Sequence, residues 1–424
     1  MFHADVTHPL WSARLVDKEE DVVVAAHLAF LQAGSQVILT STSVNYYIPL
    51  HMVSYTLNRY QAAYETFRRS GYKDSDAESL MHKSVELAVK ARDIHESELE
   101  TPSSSEEKAK IALALGPYGA TLETAAEFTG IYPAPYGPAA FKHSSSSEPR
   151  HGSVPQSEQE SYADALAAFH FARLLVYASA AHVWDAIDLI AFETVPLVTE
   201  AKAIRIAVAR LEDWFRETST GGNQAQTRSE MKPWYISFVF PGPHGEFSQD
   251  SPVAKFSKES SDTVGVCTAS DRRRPYTAYE VAQATFSLGG IAQCKLATPN
   301  AIGVNCTQSH LVPPIVEEFA SAINKLTAEH FQGILPWLAL YPNGGLNYDP
   351  VGRIWLPSNP PNLHDKANAS WGKTWAKGLA EMVRILNTNQ SPSCASIFGG
   401  LLVGGCCKTG PDEIRALKEE LLCP

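Results

Sequence analysis

The chain has no run of eighteen apolar residues, so it offers no candidate for a membrane-spanning helix. It is short of positive charge: 35 Lys and Arg stand against 46 Asp and Glu, a formal charge of −11. A nucleic-acid partner would need a basic face, and none is spelled out. The one basic run, Arg272-Arg273-Arg274, lies in a polar loop and reads as solvated. Cysteine is scarce, with seven in 424 residues and no disulfide framework, which fits a reducing, cytoplasmic setting. No Cys-x-x-Cys pair is present, so the commonest structural-zinc signature is missing. No glycine-rich dinucleotide fingerprint follows any strand. Met1 to Leu10 carry neither the basic region nor the apolar core of a secretory signal.

What the chain does contain is a composition able to build a sizeable core, 44% hydrophobic and 19% charged. Its length permits two or three domains, yet α/β barrels reach this size as one, and a single domain over 1–424 is expected. Short β-branched or apolar runs begin near residues 36, 111, 189, 234, 301, 335 and 397. Helical spacing fills the intervals at 9–34, 50–69, 77–99, 162–183, 195–212, 276–289, 314–328 and 378–387, with a last helix from Pro411. Strands alternating with helices imply parallel pairing through right-handed crossovers. The expected fold is a (β/α)8 TIM-type barrel with seven strands found where eight are needed. An open doubly wound sheet is the other arrangement this alternation allows. Three polar stretches, 141–161, 217–232 and 245–275, read as surface insertions.

Functional-looking side chains gather where strands end: Thr40, Glu193, Cys306, Asn343, Cys406 and Cys407. In βα barrels that rim carries the active site. The stretch Gly404-Gly405-Cys406-Cys407-Lys408-Thr409-Gly410-Pro411 joins a strand to a helix start. Thr409 or Gly410 can cap that helix, Pro411 suits its first position, and Asp412 and Glu413 favour its dipole. The helix N-terminus would also favour thiolate over thiol. On a regular strand, adjacent side chains point to opposite faces. The two cysteines can therefore serve one metal ion only where the strand stops being regular, which the two glycines permit. Cys306 ends the run 301–305 in a matching place. Three thiolates with one position open are the pattern of catalytic zinc rather than structural zinc. Taken alone, the same three residues also read as small buried hydrophobes.

A set of stretches carries a resemblance. They are Pro9-Leu10-Trp11-Ser12-Ala13-Arg14, Ala33-Gly34-Ser35, Thr40-Ser41-Thr42, Gly116-Pro117-Tyr118-Gly119-Ala120, Phe192-Glu193-Thr194, Gly303-Val304-Asn305-Cys306, Tyr341-Pro342-Asn343 and Gly404-Gly405-Cys406-Cys407. In this order the chain resembles the zinc-dependent homocysteine S-methyltransferases, which include betaine-using enzymes and those using S-methylmethionine or S-adenosylmethionine. The likeness covers nearly the whole chain apart from the three insertions, and it implies a (β/α)8 barrel. It implies that Cys306, Cys406 and Cys407 hold Zn²⁺, that Glu193 and Thr40 contact the amino-acid part of homocysteine, and that Trp11 lies near the methyl donor. Read without the resemblance, Glu193 is a rim carboxylate, Thr40 a strand-end cap and Trp11 a core aromatic.

Two departures stand out. The family's first strand ends in Asp-Gly-Gly, and this chain begins beyond that point; Asp5 is no substitute, because no apolar strand precedes it. Val44 stands where betaine-using relatives carry an aromatic residue, so a sulfonium donor is expected instead of betaine. The expected reaction moves a methyl group from S-methylmethionine or S-adenosylmethionine to the homocysteine thiolate, giving methionine. The alternatives are a catalytically impaired zinc- and homocysteine-binding relative, or a zinc methyltransferase with another thiol or selenol acceptor.

Overall fold

The computed structural model describes residues 11–40, 62–99, 104, 108–122, 126–137, 156–220, 230–240, 252–253, 276–287, 294–326, 331, 333–344, 346–349, 354–357, 371–387 and 397–422. Seven parallel strands form one sheet: β1 (Val37–Leu39), β2 (Lys110–Leu115), β3 (Leu189–Val195), β4 (Trp234–Phe238), β5 (Ala301–Asn305), β6 (Trp337–Tyr341) and β7 (Leu401–Val403). The helices between them are α1 (Trp11–Lys18), α2 (Glu20–Gln32), α3 (Asp74–Glu98), α4 (Gln156–Ala178), α5 (Val198–Thr220), α6 (Ala278–Phe286), α7 (Val312–Lys325), α8 (Trp371–Asn387) and α9 (Pro411–Leu422), with shorter helical turns besides.

Spatial order in the sheet follows chain order without a reversal. A doubly wound sheet turns back at a switch point. Here every crossover goes the same way, so the sheet curls into an incomplete TIM-type barrel. Its open side lies between β1 and β7, which do not pair among the described residues. A cavity of about 420 Å³ lies along that gap, lined by both strands, by His27 of α2 and by Leu417 and Lys418 of α9. The inner strands β2, β4 and β5 are buried along almost their full length, whereas β1 and β7 are only partly covered.

Strand alternation divides the core in two. Ile111, Leu113, Ile190, Phe192, Ile236, Ile302 and Leu338 face the helices. Ala112, Ala191, Tyr235, Ala301, Ala339 and Tyr341 fill the barrel interior. The interior must be small where strands crowd. A Cβ on Gly303 would lie 2.8 Å from the Ala339 carbonyl oxygen and 3.1 Å from Ser237 Oγ. The same alternation points Glu193 of β3 and Asn305 of β5 inward, each the last in such a series.

Several boundaries differ from the sequence reading. The first helix is two, broken at Glu19. The 162–183 helix starts at Gln156, inside the stretch read as an insertion, and α5 runs to Thr220, into the second. The other residues of the three insertions mostly lie outside the described residues. The run from Ile397 becomes strand only at Leu401. Two short pairings went unread: Pro252–Val253 with Tyr276–Thr277, and the antiparallel Leu346–Asp349 with Ile354–Pro357.

A buried polar network pins the segment after β2. Glu200, in the first turn of α5, accepts hydrogen bonds from Tyr118 N–H (2.6 Å), Tyr132 O–H (2.6 Å) and His170 Nε2–H (3.0 Å). Arg173 donates to the Gly116 carbonyl at 2.7 Å and to His170 Nδ1 at 2.8 Å. An imidazole that accepts at one nitrogen and donates at the other is neutral.

Burial holds His27 at about 4, against an ordinary value of 6.5, and His170 is held at about 4 in the same direction. At pH 7 these rings are neutral both folded and unfolded. As pH falls from 6.5 towards 4, the unfolded chain takes up protons that the folded chain refuses, so acid favours unfolding. For His27 alone the loss between pH 7 and pH 5 comes to about 2 kcal/mol. Urea titrations at both pH values check this: His27→Gln should lose about 2 kcal/mol less on acidification than the unaltered protein. Equal losses would show that the ring titrates normally.

Candidate metal and substrate site

The vicinal cysteines sit where β7 has ended and α9 has not begun. Gly405 lets the chain fold back onto the helix start, since a Cβ there would lie 2.5 Å from the Thr409 side chain. Cys406 N–H then donates to the Pro342 carbonyl (2.9 Å), and Gly344 N–H donates to the Cys407 carbonyl (2.6 Å), tying the turn to the end of β6. The Thr409 hydroxyl is spent on the Cys406 carbonyl at 2.5 Å, so it does not cap α9. Glu413 instead reaches back to Gly410 N–H at 2.8 Å. Pro411 opens the helix, as its sequence position leads one to expect.

With the strand broken in this way, both sulfurs face Cys306 at the end of β5. Cys306 Sγ is 2.9 Å from Cys406 Sγ and 3.5 Å from Cys407 Sγ, and the vicinal pair is 3.9 Å apart. All three are buried. Burial pushes the Cys306 and Cys407 thiols up. Burial acts the same way on Cys406, but hydrogen bonds from Cys306, Cys407 and Asn305 outweigh it and hold that thiol well below the ordinary range. Of the three, Cys406 is therefore the one favoured as thiolate.

Glu193 is buried in the same barrel interior. Tyr235 registers both groups: burial pushes its phenol up, the Glu193 charge adds to this, and so does Cys406. Tyr341, edge-on to Tyr235 at 6.4 Å, is raised by burial and then by Glu193. Both the carboxylate and the Cys406 sulfur therefore lie near the Tyr235 ring. The β3–β4 register slips between Phe192 and Val195, where three steps on β3 match two on β4. That bulge lets Glu193 and Thr194 both turn inward, although they are adjacent.

The homocysteine S-methyltransferase family profile matches residues 1–421. The chain belongs to the homocysteine S-methyltransferase family. Homocysteine S-methyltransferase 2 of Zea mays is 26% identical over 419 residues, covering 99% of this chain and 85% of its own length. Selenocysteine Se-methyltransferase of Brassica oleracea var. italica is 24% identical over 427 residues, covering 99% and 84%. The metallated homocysteine methyltransferase MmuM of Escherichia coli shares the fold, with a TM-score of 0.50, 21% identity, and coverage of 98% of this chain and 90% of its own.

This homocysteine S-methyltransferase family member is a methyltransferase whose only cluster of potential metal ligands among the described residues is the cysteine trio. The donor set fits a metal ion. A tetrahedral thiolate site with bonds of about 2.3 Å spaces its sulfurs about 3.8 Å apart. Two of the three separations are close to that, and the third is reached by a shift of about 1 Å. The structure thus brings Cys306, Cys406, Cys407 and Glu193 to one place. Thr40 stands at the end of β1 with its hydroxyl accepting from Ala114 N–H (3.2 Å) and its own N–H donating to the Ala112 carbonyl (2.9 Å), which anchors β1 on β2. Trp11 opens α1, but its side chain lies outside the described residues, as do Asp5 and Val44. Asn343 is buried at the end of β6, with Oδ1 lacking a hydrogen-bond partner among the described residues.

Two site residues went unread in the sequence. Asn305 Nδ2 donates to Thr194 Oγ1 (2.7 Å) and approaches Cys306 Sγ (3.5 Å) and Cys406 Sγ (3.8 Å). Thr194 Oγ1 donates in turn to Cys306 Sγ (3.5 Å). The signal for Asn305 was present: an amide at an inward position of an otherwise apolar buried strand. The Thr194 contact depends on the bulge, which no spacing announces.

Proposed function

We propose that this protein transfers a methyl group from a sulfonium donor, S-methylmethionine or S-adenosylmethionine, to the thiolate of homocysteine, giving methionine. The observation that carries the reading is the convergence of three buried sulfurs with an inward carboxylate at the barrel mouth. Cys306, Cys406 and Cys407 would hold Zn²⁺, which supplies a Lewis acid that keeps the acceptor thiol deprotonated near neutral pH. Glu193 pairs with the α-ammonium group of homocysteine, and Thr40 supports the same end of the substrate. Trp11 offers a ring face to the donor cation.

The acceptor sulfur attacks the methyl carbon in line as the bond to the donor sulfur breaks. The donor leaves as a neutral thioether, so its positive charge vanishes in the step. The chain's main contribution is to hold sulfur and methyl carbon within reach of each other. A ring that gripped the cation too well would stabilise the ground state and slow transfer.

A selenol acceptor is the second reading, favoured by the similarity to an enzyme named selenocysteine Se-methyltransferase. Incubation with zinc, homocysteine and either donor, with selenocysteine as competitor, separates the two. Methionine formed in preference to methylselenocysteine is the expected result. Zinc and homocysteine binding with no product from either donor would instead mark a catalytically impaired relative.

A further inference from the structure

We propose that the Asn305 side chain is a positioning residue that locks the Glu193–Thr194 ledge to the thiolate cluster, setting metal affinity and substrate fit through two separable contacts. This rests on the reading of Cys306, Cys406 and Cys407 as metal ligands and of Glu193 as a substrate contact.

Thr194 has φ of 57°, in the left-handed region. For a β-branched residue that is a costly conformation, of order 1–3 kcal/mol. Something must hold it, and one amide does so twice. Asn305 Oδ1 accepts from Thr194 N–H (2.9 Å) while Nδ2 donates to Thr194 Oγ1 (2.7 Å). Asn305 comes from β5, with β4 lying between it and β3, so its side chain spans the barrel interior to make this clamp. The residue it fixes sits directly after Glu193, within the bulge that turns the carboxylate inward.

The other contact of the same amide is to sulfur. Nδ2 lies 3.5 Å from Cys306 Sγ and 3.8 Å from Cys406 Sγ. A donor at that distance orients sulfur lone pairs and steadies thiolate charge. Asn305 is fully buried. The described non-glycine residues with positive φ are Thr194, Cys306 and Lys408, all at this site. Backbone strain is thus concentrated where Asn305 makes its bonds.

The two contacts part company in a rescue experiment. Asn305→Ala should weaken zinc binding about tenfold, measured by competition with a chelator, and raise the homocysteine KM about tenfold. Glycine adopts positive φ without help. Asn305→Ala combined with Thr194→Gly should therefore recover the homocysteine KM to within about twofold while zinc binding stays weak. The double variant also relieves the strain, so it remains interpretable if the single variant folds poorly. Zinc affinity unchanged in a folded Asn305→Ala protein, or a KM that the glycine fails to restore, would overturn the proposal while leaving the cysteine assignment standing. An unaltered protein that takes up no zinc would overturn the reading of the site and this inference with it.

Discussion

Cys406→Ser is expected to lose bound zinc and to make no methionine above background. Cys406 lies 2.9 Å from Cys306 and is the thiol most favoured as thiolate. A serine hydroxyl stays protonated at neutral pH and is a hard ligand in a soft donor set. With the metal gone, the acceptor thiol loses its activating charge, worth several kcal/mol, so turnover should fall by at least about 10³-fold. Metal content by plasma emission and methionine by chromatography check the two halves separately. Cys294 provides the control, because it packs with a separate apolar cluster around Tyr132 and Leu166. Cys294→Ser should keep both zinc and turnover. Full turnover in Cys406→Ser would refute the site.

Much of this arrangement was legible in the chain. Buried parallel strands are nearly continuous apolar runs, so the starts of β2, β3 and β5 announce themselves within a residue, although β3 runs two residues past Glu193 to Val195. The vicinal cysteines between a strand and Pro411 were equally plain. Their meeting with Cys306 was expected from its matching place at a strand end and from the family resemblance; the structure adds the physical reason, since β5 and β7 lie on either side of β6 and the curl of the sheet brings their ends together. Helix α8 was read as starting at Gly378, yet it starts at Trp371 and tolerates that glycine in its interior, where nothing among the described residues packs against it. The N-terminal helix was read as continuous, but Glu19 interrupts it without changing the apolar spacing on either side. The Thr40 hydroxyl illustrates a different limit. Residue type marks it as polar at a strand end, but only the neighbouring strand shows that it already serves Ala114. The register slip after Phe192 belongs to the pairing of two strands distant in sequence, and pairing is what a single chain read in order does not contain.

Glu193→Gln should separate substrate recognition from metal binding. The side chains are nearly isosteric, so the bulge, the Thr194–Asn305 bonds and the cysteine cluster should persist, and zinc content should match the unaltered protein. What goes is a buried negative charge. On the proposed reading that charge meets the homocysteine ammonium group out of contact with bulk water. Removing one partner of such a pair costs about 2–5 kcal/mol. The homocysteine KM should therefore rise about 100-fold, with kcat falling much less. A variant that binds zinc and loses homocysteine would mark Glu193 as a group retained for its substrate. A homocysteine KM that did not move would remove it from the binding site, whatever happened to stability.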